Sequence, residues 1–327
     1  MPEPVPMIEV TRGDLVESAH SGHAVICDAS GEIVDAWGDP DAVIYPRSSC
    51  KMMQALPMVE AGLDLPPERL ALACASHQGA PMHVERVASW LSDLGLSDGD
   101  LLCGTEVSRD KETREAMIRA GEPPCQVHNN CSGKHAGFLT FAKHLGAGPD
   151  YVELDHPVQR AVRASFDEVT GMTSPTYGID GCSAPNFATS VHGLARAMAA
   201  FAAAREGAGA RQDAMARLVS AMRAHPDLVA GEGRACTGLM RAMEGRVAIK
   251  TGAEAVFVAI LPEQKLGVAL KISDGATRAS EAAIAALLVR LGVLDPAHPE
   301  TLARLDAKIR NRAGLEVGRI RKAEGFA

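Results

Sequence analysis

Residues 246–272 read RVAIKTGAEAVFVAILPEQKLGVALKI. Three apolar runs, Arg246–Lys250, Ala255–Leu261 and Leu266–Ile272, are separated by Gly252 and by the turn Pro262–Lys265. Short runs rich in Val, Ile and Leu and bounded by turn residues predict strands. Connections this short join antiparallel neighbours, so the three predict a meander. Near the other end, Ala24–Asp28 and Glu32–Ala36 flank Ala29-Ser30-Gly31 and predict a hairpin. Between these strand sets the apolar spacing is helical, over Lys51–Ala61 (with a kink or break at Pro57), Pro81–Leu94, Gly133–Leu145, Pro157–Val169, Asn186–Ala204 and Gln212–Ala224. Thr277–Leu291 adds a helix ended by Gly292, and Ile309–Arg321 a last strand. Strands at both ends with helices between predict an α+β fold, not alternating βαβ units. The expected architecture is one antiparallel sheet of N- and C-terminal strands, helices packed on it, and a helical subdomain over about 50–245. No linker or repeat divides the chain, so residues 1–327 are read as a single domain.

The composition is that of an ordinary globular protein: 46% hydrophobic, 23% charged, mean hydropathy near zero. Aromatic residues are only 4%, so Ala, Val, Leu, Ile and Met must fill the core. A net charge of −8 lacks the basic footprint of a nucleic-acid binder. The longest apolar runs, Ala197–Ala204 and Ala282–Val289, are eight residues each, far short of the ~20 that span a bilayer. Residues 1–20 have neither a basic n-region nor an apolar h-region, so a cytoplasmic location is expected. In that compartment the eight cysteines, at 27, 50, 74, 103, 125, 131, 182 and 236, read as thiols, ligands or nucleophiles and not as disulfides. Cys27, Cys74 and Cys103 fit simple packing, and Cys125 is undecided.

Five segments carry candidate chemistry. Ser48-Ser49-Cys50-Lys51 is an S-x-x-K at a loop-to-helix junction, where residues three apart share a face. A desolvated lysine there can accept the Ser48 proton, although either serine can equally serve as a helix cap. Lys250-Thr251-Gly252 ends a predicted strand, and K-T-G faces the nucleophile in serine acyl-transfer enzymes that carry S-x-x-K. The S-D-N element of that pattern is not evident. In HNNCSGKHAG, Cys131 lies three residues from Lys134 and four from His135, on one helical face, though the spacing is too short for a zinc motif by itself. The loop Tyr177–Pro185 (YGIDGCSAP) joins Asp180 and Cys182 in glycine-rich surroundings, and CASHQG at 74–79 ends an apolar segment in polar residues. No phosphate loop, dinucleotide fingerprint, H-E-x-x-H or paired C-x-x-C is present, which weighs against nucleotide enzymes, dinucleotide oxidoreductases and zincins.

Taken together, the chain resembles the rhizobial-type (thermolabile, class 3) L-asparaginase family. The resemblance rests on Arg47–Lys51 with the following QALPMVEAG, CASHQG with Pro81–His83, HNNCSGKHAG, YGIDGCSAPN, and GEGRACTGLM leading to KTGAEAVF, in order from about residue 8 to 320. It implies a serine β-lactamase-like fold and hydrolysis of L-asparagine to L-aspartate and ammonia, by a homodimer with a zinc site beside the catalytic serines. It places the nucleophile at Ser48 with Lys51 as base, and a second serine–lysine pair at Ser76 and Lys250. The Zn2+ ligands fall on Cys131, Lys134 and Cys182, leaving one tetrahedral position open for water or substrate. Asp180 and Arg47 become candidates for the substrate's ammonium and carboxylate, while Cys236 and His135 fall beside the centre. The rival expectations are another serine amidohydrolase, glutaminase or β-lactamase-like, and a non-enzymic zinc or amino-acid-binding protein. Two Ser–Lys elements speak against the last, since a binding module requires neither.

Overall fold

The computed structural model describes residues 3–327; Met1 and Pro2, part of the expected 1–327 domain, lie outside the described residues. The chain divides into two compact units, each described by itself. The first comprises the residues up to Ser49 with Thr189–Ala203 and Ala235–Ala327, and the second Cys50–Ala188 with Ala204–Arg234.

The first unit is built on an eight-stranded sheet. Its order is Lys308–Arg310, Glu316–Lys322, Val5–Arg12, Leu15–Cys27, Leu266–Ile272, Val256–Leu261 and Ala248–Gly252, with Ile33–Trp37 also paired to Leu15–Cys27. Every pairing is antiparallel, and N- and C-terminal strands share the sheet, as the sequence predicts. Val256–Leu261 is buried at all six positions, so side chains on both faces of the pleat are covered. Helices Val191–Ala203 and Thr277–Arg290 pack on these strands. Gly267 lets the first approach: a Cβ there would fall 2.0 Å from Ala199 N and 2.3 Å from Ala195 O.

Two sequence expectations need correction. The helix expected over Asn186–Ala204 begins only at Val191, because Pro185–Phe187 pairs as a strand with Tyr177–Ile179 and Thr189–Ser190 pairs with Val43–Ile44. Ser190 then starts the helix, its Oγ accepting the Gly193 N–H at 2.9 Å. Pro57 does not break helix Lys51–Glu60, which runs through it. The missing N–H forgoes one helical bond, but Lys51–Val59 are all buried, and helices Pro157–Thr170, Ala210–Ala224 and Ser132–His144 pack around them.

That helix is the axis of the second, mainly helical unit. Beside it, Ser132–His144 is buried at every position from Ser132 to Ala142, as a helix enclosed on all sides must be. Among the described residues no helix is long and apolar enough to cross a membrane.

Candidate active site

The sheet unit carries Arg47, Ser48, Lys250 and Cys236. Arg47–Cys50 is a 3-10 turn running straight into helix Lys51–Glu60, which puts half-buried Ser48 at a helix entrance. Ser49 braces the turn, its N–H and Oγ donating to Pro46 O at 3.2 and 2.7 Å. Arg47 has a left-handed φ of 53°, which is costly for a side-chain-bearing residue and is met mainly where surroundings enforce it. Lys250-Thr251-Gly252 ends the edge strand Ala248–Gly252. It runs close to the serine turn: a Cβ on Gly252 would lie 2.6 Å from Pro46 O and 3.1 Å from Ser49 N. The two elements, two hundred residues apart in sequence, therefore meet inside one unit. Just beyond, Glu254 and Ala255 also take left-handed φ values of 56° and 57°, and Glu254 Oε1 lies 4.0 Å from Arg47 Nη1. Lys250 is fully buried and its Nζ donates to Thr251 O at 2.7 Å. Cys236 is buried in helix Ala235–Ala242, which packs on this strand. Gly252→Ala is expected to cost about 1–3 kcal/mol of stability, because the methyl collides with backbone; an unchanged denaturation midpoint would refute this close approach.

The helical unit carries Lys51, Ser76, Cys131, Lys134, His135, Asp180 and Cys182. Lys51 is buried and its Nζ donates to Ala75 O, to Ser76 Oγ at 3.1 Å and to Cys131 Sγ at 3.2 Å. Thus one lysine ties the S-x-x-K helix to both CASHQG and HNNCSGKHAG. His77 adds a second tie. Its Nδ1 accepts the Gly79 N–H, leaving Nε2–H to donate to Ser132 Oγ at 2.9 Å. Burial first, and the neighbouring His83 next, hold the His77 pKa well below the ordinary imidazole value, so it stays neutral.

Lys134, Cys131 and Cys182 converge. Lys134 Nζ lies 3.0 Å from Cys182 Sγ. The neighbouring Cys131 first, and Lys134, draw the Cys182 pKa well below the ordinary thiol range against the opposing effect of burial. Cys131 is pushed up by its closeness to Cys182 and by burial. Burial acts to lower Lys134, but Cys182 and Cys131 outweigh it and its pKa is raised. Cys50, buried nearby, is pushed up to about 12 by desolvation. Asp180 is partly exposed, accepts the Gly181 N–H at 2.8 Å, and adds negative charge that favours the Lys134 cation. Its loop is shaped by Ser183, another non-glycine residue with a left-handed φ, 68°.

Two sulfurs and an amine are a donor set suited to zinc. Tetrahedral ligands at about 2.0–2.3 Å from a metal stand roughly 3.5 Å apart. The Lys134–Cys182 separation needs only a small outward shift to reach that value. Among the described residues His, Cys, Asp and Glu alone form no metal-holding group of three. His135 is fully buried, and its Nδ1 meets Tyr151 OH at 2.9 Å. The Leu102 N–H also donates to that oxygen, at 2.7 Å. His135 Nε2 has no partner, and burial first, then Lys134, hold its pKa well below the ordinary value.

Sequence reasoning missed a supporting layer. Glu106 Oε2 accepts both the Asn130 backbone N–H at 2.9 Å and its Nδ2–H at 2.6 Å, while Arg109 holds Oε1. This leaves Asn130 Oδ1 facing Cys131 Sγ at 3.3 Å. Asn129 Oδ1 accepts the Cys131 N–H at 2.8 Å, and its amide is clamped to Cys103 O and Gly104 O. The paired asparagines before Cys131 were the one available signal, since amides beside a candidate ligand imply local bracing.

Comparison with solved structures finds matches of low identity. They include Mglu in its native form (13% identity, 86% of this chain and 67% of that one, TM-score 0.48). A β-lactamase from Mycobacterium bovis matches at 12% identity, 84% and 95% coverage and TM-score 0.37. The octameric penicillin-binding protein homologue from Pyrococcus abyssi matches at 14%, 82% and 73%, and 0.37. The chain thus spans about two thirds of the length of Mglu. No curated protein matches it significantly. The family model for L-asparaginase II, by contrast, matches residues 8–322, a span that takes in the serine turn, both cysteine segments and the K-T-G strand. On that match the chain belongs to the L-asparaginase II family, and is an amidohydrolase of the asparaginase type.

Proposed function

We propose that this amidohydrolase is an L-asparaginase, converting L-asparagine to L-aspartate and ammonia through an acyl-enzyme on Ser48. The observation that carries the reading is the burial of Lys51, Lys134 and Lys250, at 1%, 3% and 0% exposure, the only lysines buried among the described residues. Lysine is almost never enclosed without a partner or a task. Each of the three sits in a separate motif segment.

Lys51 takes the Ser48 hydroxyl proton, and the alkoxide attacks the side-chain amide carbon of asparagine. Backbone N–H groups at the start of helix Lys51–Glu60, with its dipole, favour the developing oxyanion. The tetrahedral intermediate collapses, and ammonia leaves with a proton from Lys51 or from the second pair, Ser76 and Lys250. Water then hydrolyses the β-aspartyl ester, with the lysine as base again. Ser76 Oγ, 3.1 Å from Lys51 Nζ, is within reach of the same proton acceptor, so Ser76 is the alternative nucleophile.

Cys131, Lys134 and Cys182 would hold Zn2+, which supplies a fixed cationic anchor for the substrate when bound. Arg47 and Asp180 are assigned to the substrate carboxylate and ammonium, and His135 and Cys236 to the walls of the site. A homodimer and a cytoplasmic location belong to the same proposal.

Ammonia release from purified protein tests the reading. Turnover of asparagine should exceed that of glutamine by at least tenfold, with none of nitrocefin, and prolonged chelation should reduce it. Preferential glutamine or nitrocefin turnover would assign the site to another amide, and zinc binding without turnover would make the chain a binding protein.

A further inference from the structure

Glu254 takes no part in the chemistry proposed above, yet the sheet unit holds it beside Arg47, with Oε1 4.0 Å from Nη1. A solvent-exposed carboxylate paired at that distance adds little stability. The backbone on both sides of the pair is nevertheless unfavourable. Arg47, Glu254 and Ala255 all take left-handed φ values, 53°, 56° and 57°. Hairpin turns with two such residues in succession favour Asn-Gly, whereas the turn joining Ala248–Gly252 to Val256–Leu261 carries Glu-Ala. Residues kept in that region against their preference collect at ligand clamps and active sites. Gly275 makes room for the carboxylate, since a Cβ there would fall 2.8 Å from Glu254 Oε2. The other charges close by are Lys271, whose pKa burial lowers against the pull of Glu254 and Asp274, and Asp274 itself, which His20 Nδ1 engages at 2.6 Å.

We propose that Glu254 sets the charge Arg47 accepts, so that the site favours the amide substrate over its acid product. The proposal rests on the asparaginase reading, in which Arg47 receives the α-carboxylate. Glu254 repels that carboxylate and attracts the ammonium on the same carbon. For asparagine, a neutral zwitterion, the two effects largely offset. Aspartate brings a further carboxylate with no cation to match it, so the same Glu254 disfavours the product. Glu254 is thus a specificity-determining residue that limits product inhibition.

Steady-state ammonia release from asparagine, with L-aspartate added as inhibitor, tests this. Glu254→Gln keeps the side-chain length and removes the charge. The ratio of the aspartate Ki to the asparagine KM should then fall about fivefold at low salt, the size expected of one exposed charge a few ångströms away. Glu254→Asp should restore most of the wild-type ratio. In about 0.5 M sodium chloride the wild type and Glu254→Gln should converge, because screening then acts over the distance between the charges. Ala255→Gly relaxes the same turn without touching charge, so Tm should rise while the ratio stays at the wild-type value. An unshifted ratio in Glu254→Gln overturns the proposal. An equal shift in Ala255→Gly does so too, because it assigns the effect to the shape of the turn. Absence of asparagine turnover in the wild type would instead defeat the asparaginase reading, and this proposal with it.

Discussion

Ser48→Ala is expected to lower kcat/KM for asparagine by at least about 10⁴-fold, with Tm within a few degrees of wild type. Removing a nucleophile from an acyl-transfer enzyme leaves only binding and oxyanion stabilisation, and losses of this order or larger follow. Ser48 is half-buried at the mouth of a turn that Ser49 braces, so losing its hydroxyl leaves the turn intact. Lys51 would be a poorer probe, because its Nζ also ties Ala75, Ser76 and Cys131 together. Ser76→Ala should cost less, roughly 10²-fold, as expected for a group that assists proton transfer. The opposite order of losses would make Ser76 the attacking residue.

The second large effect is on metal. Wild-type protein should carry about one zinc per chain, and Cys131→Ala or Cys182→Ala should lose it, because two donors cannot hold a structural-strength site. Cys27→Ala should keep it. Cys27 lies buried in strand Leu15–Cys27, its pKa pushed up to about 12 by burial, and offers packing alone. Cys182→Ala carries a further penalty. In the metal-free protein it leaves the buried Lys134 without its nearest counter-charge, and breaking a buried pair on one side costs about 3–5 kcal/mol. Adding Lys134→Met to Cys182→Ala should recover much of that loss. Metal analysis with thermal denaturation of the four variants checks both parts, and unchanged zinc in Cys131→Ala would remove that residue from the ligand set.

The parts of the fold legible in sequence were those whose burial is one-sided or complete. Val256–Leu261 is covered on both faces and reads as an unbroken apolar run, and Leu266–Ile272 is buried at all but Leu266 and Lys271. Strand Val5–Arg12 escaped notice because Pro6, Glu9 and Thr11 interrupt its apolar pattern, and its partner Glu316–Lys322 has no fully buried residue. Helix Lys111–Ala120 also buries none of its residues, so it has no stripe to find. Its caps were visible: Asp110 accepts the Thr113 N–H at 2.9 Å, and Gly121 closes the helix with a φ of 68°.

The site divides in the same way. Ser48, Lys51, Cys131, Lys134, Cys182 and Lys250 sit in unusual local strings, and such strings can be read without a fold. Glu106 and Tyr151 act through partners set by tertiary structure. Glu106 reaches Asn130 across twenty-four positions, and Tyr151 reaches His135 across sixteen. Nothing within a few residues of either announces that role.

Everything proposed about the chemistry turns on the identity of the acylated residue. The direct measurement is to quench the enzyme during turnover of a slow asparagine analogue, digest it, and locate the added β-aspartyl-type mass by peptide mapping. The mass is predicted on the peptide containing Ser48 and should be absent from Ser48→Ala. Adduct on the Ser76 peptide, or no adduct at any serine under conditions where product accumulates, would contradict the account.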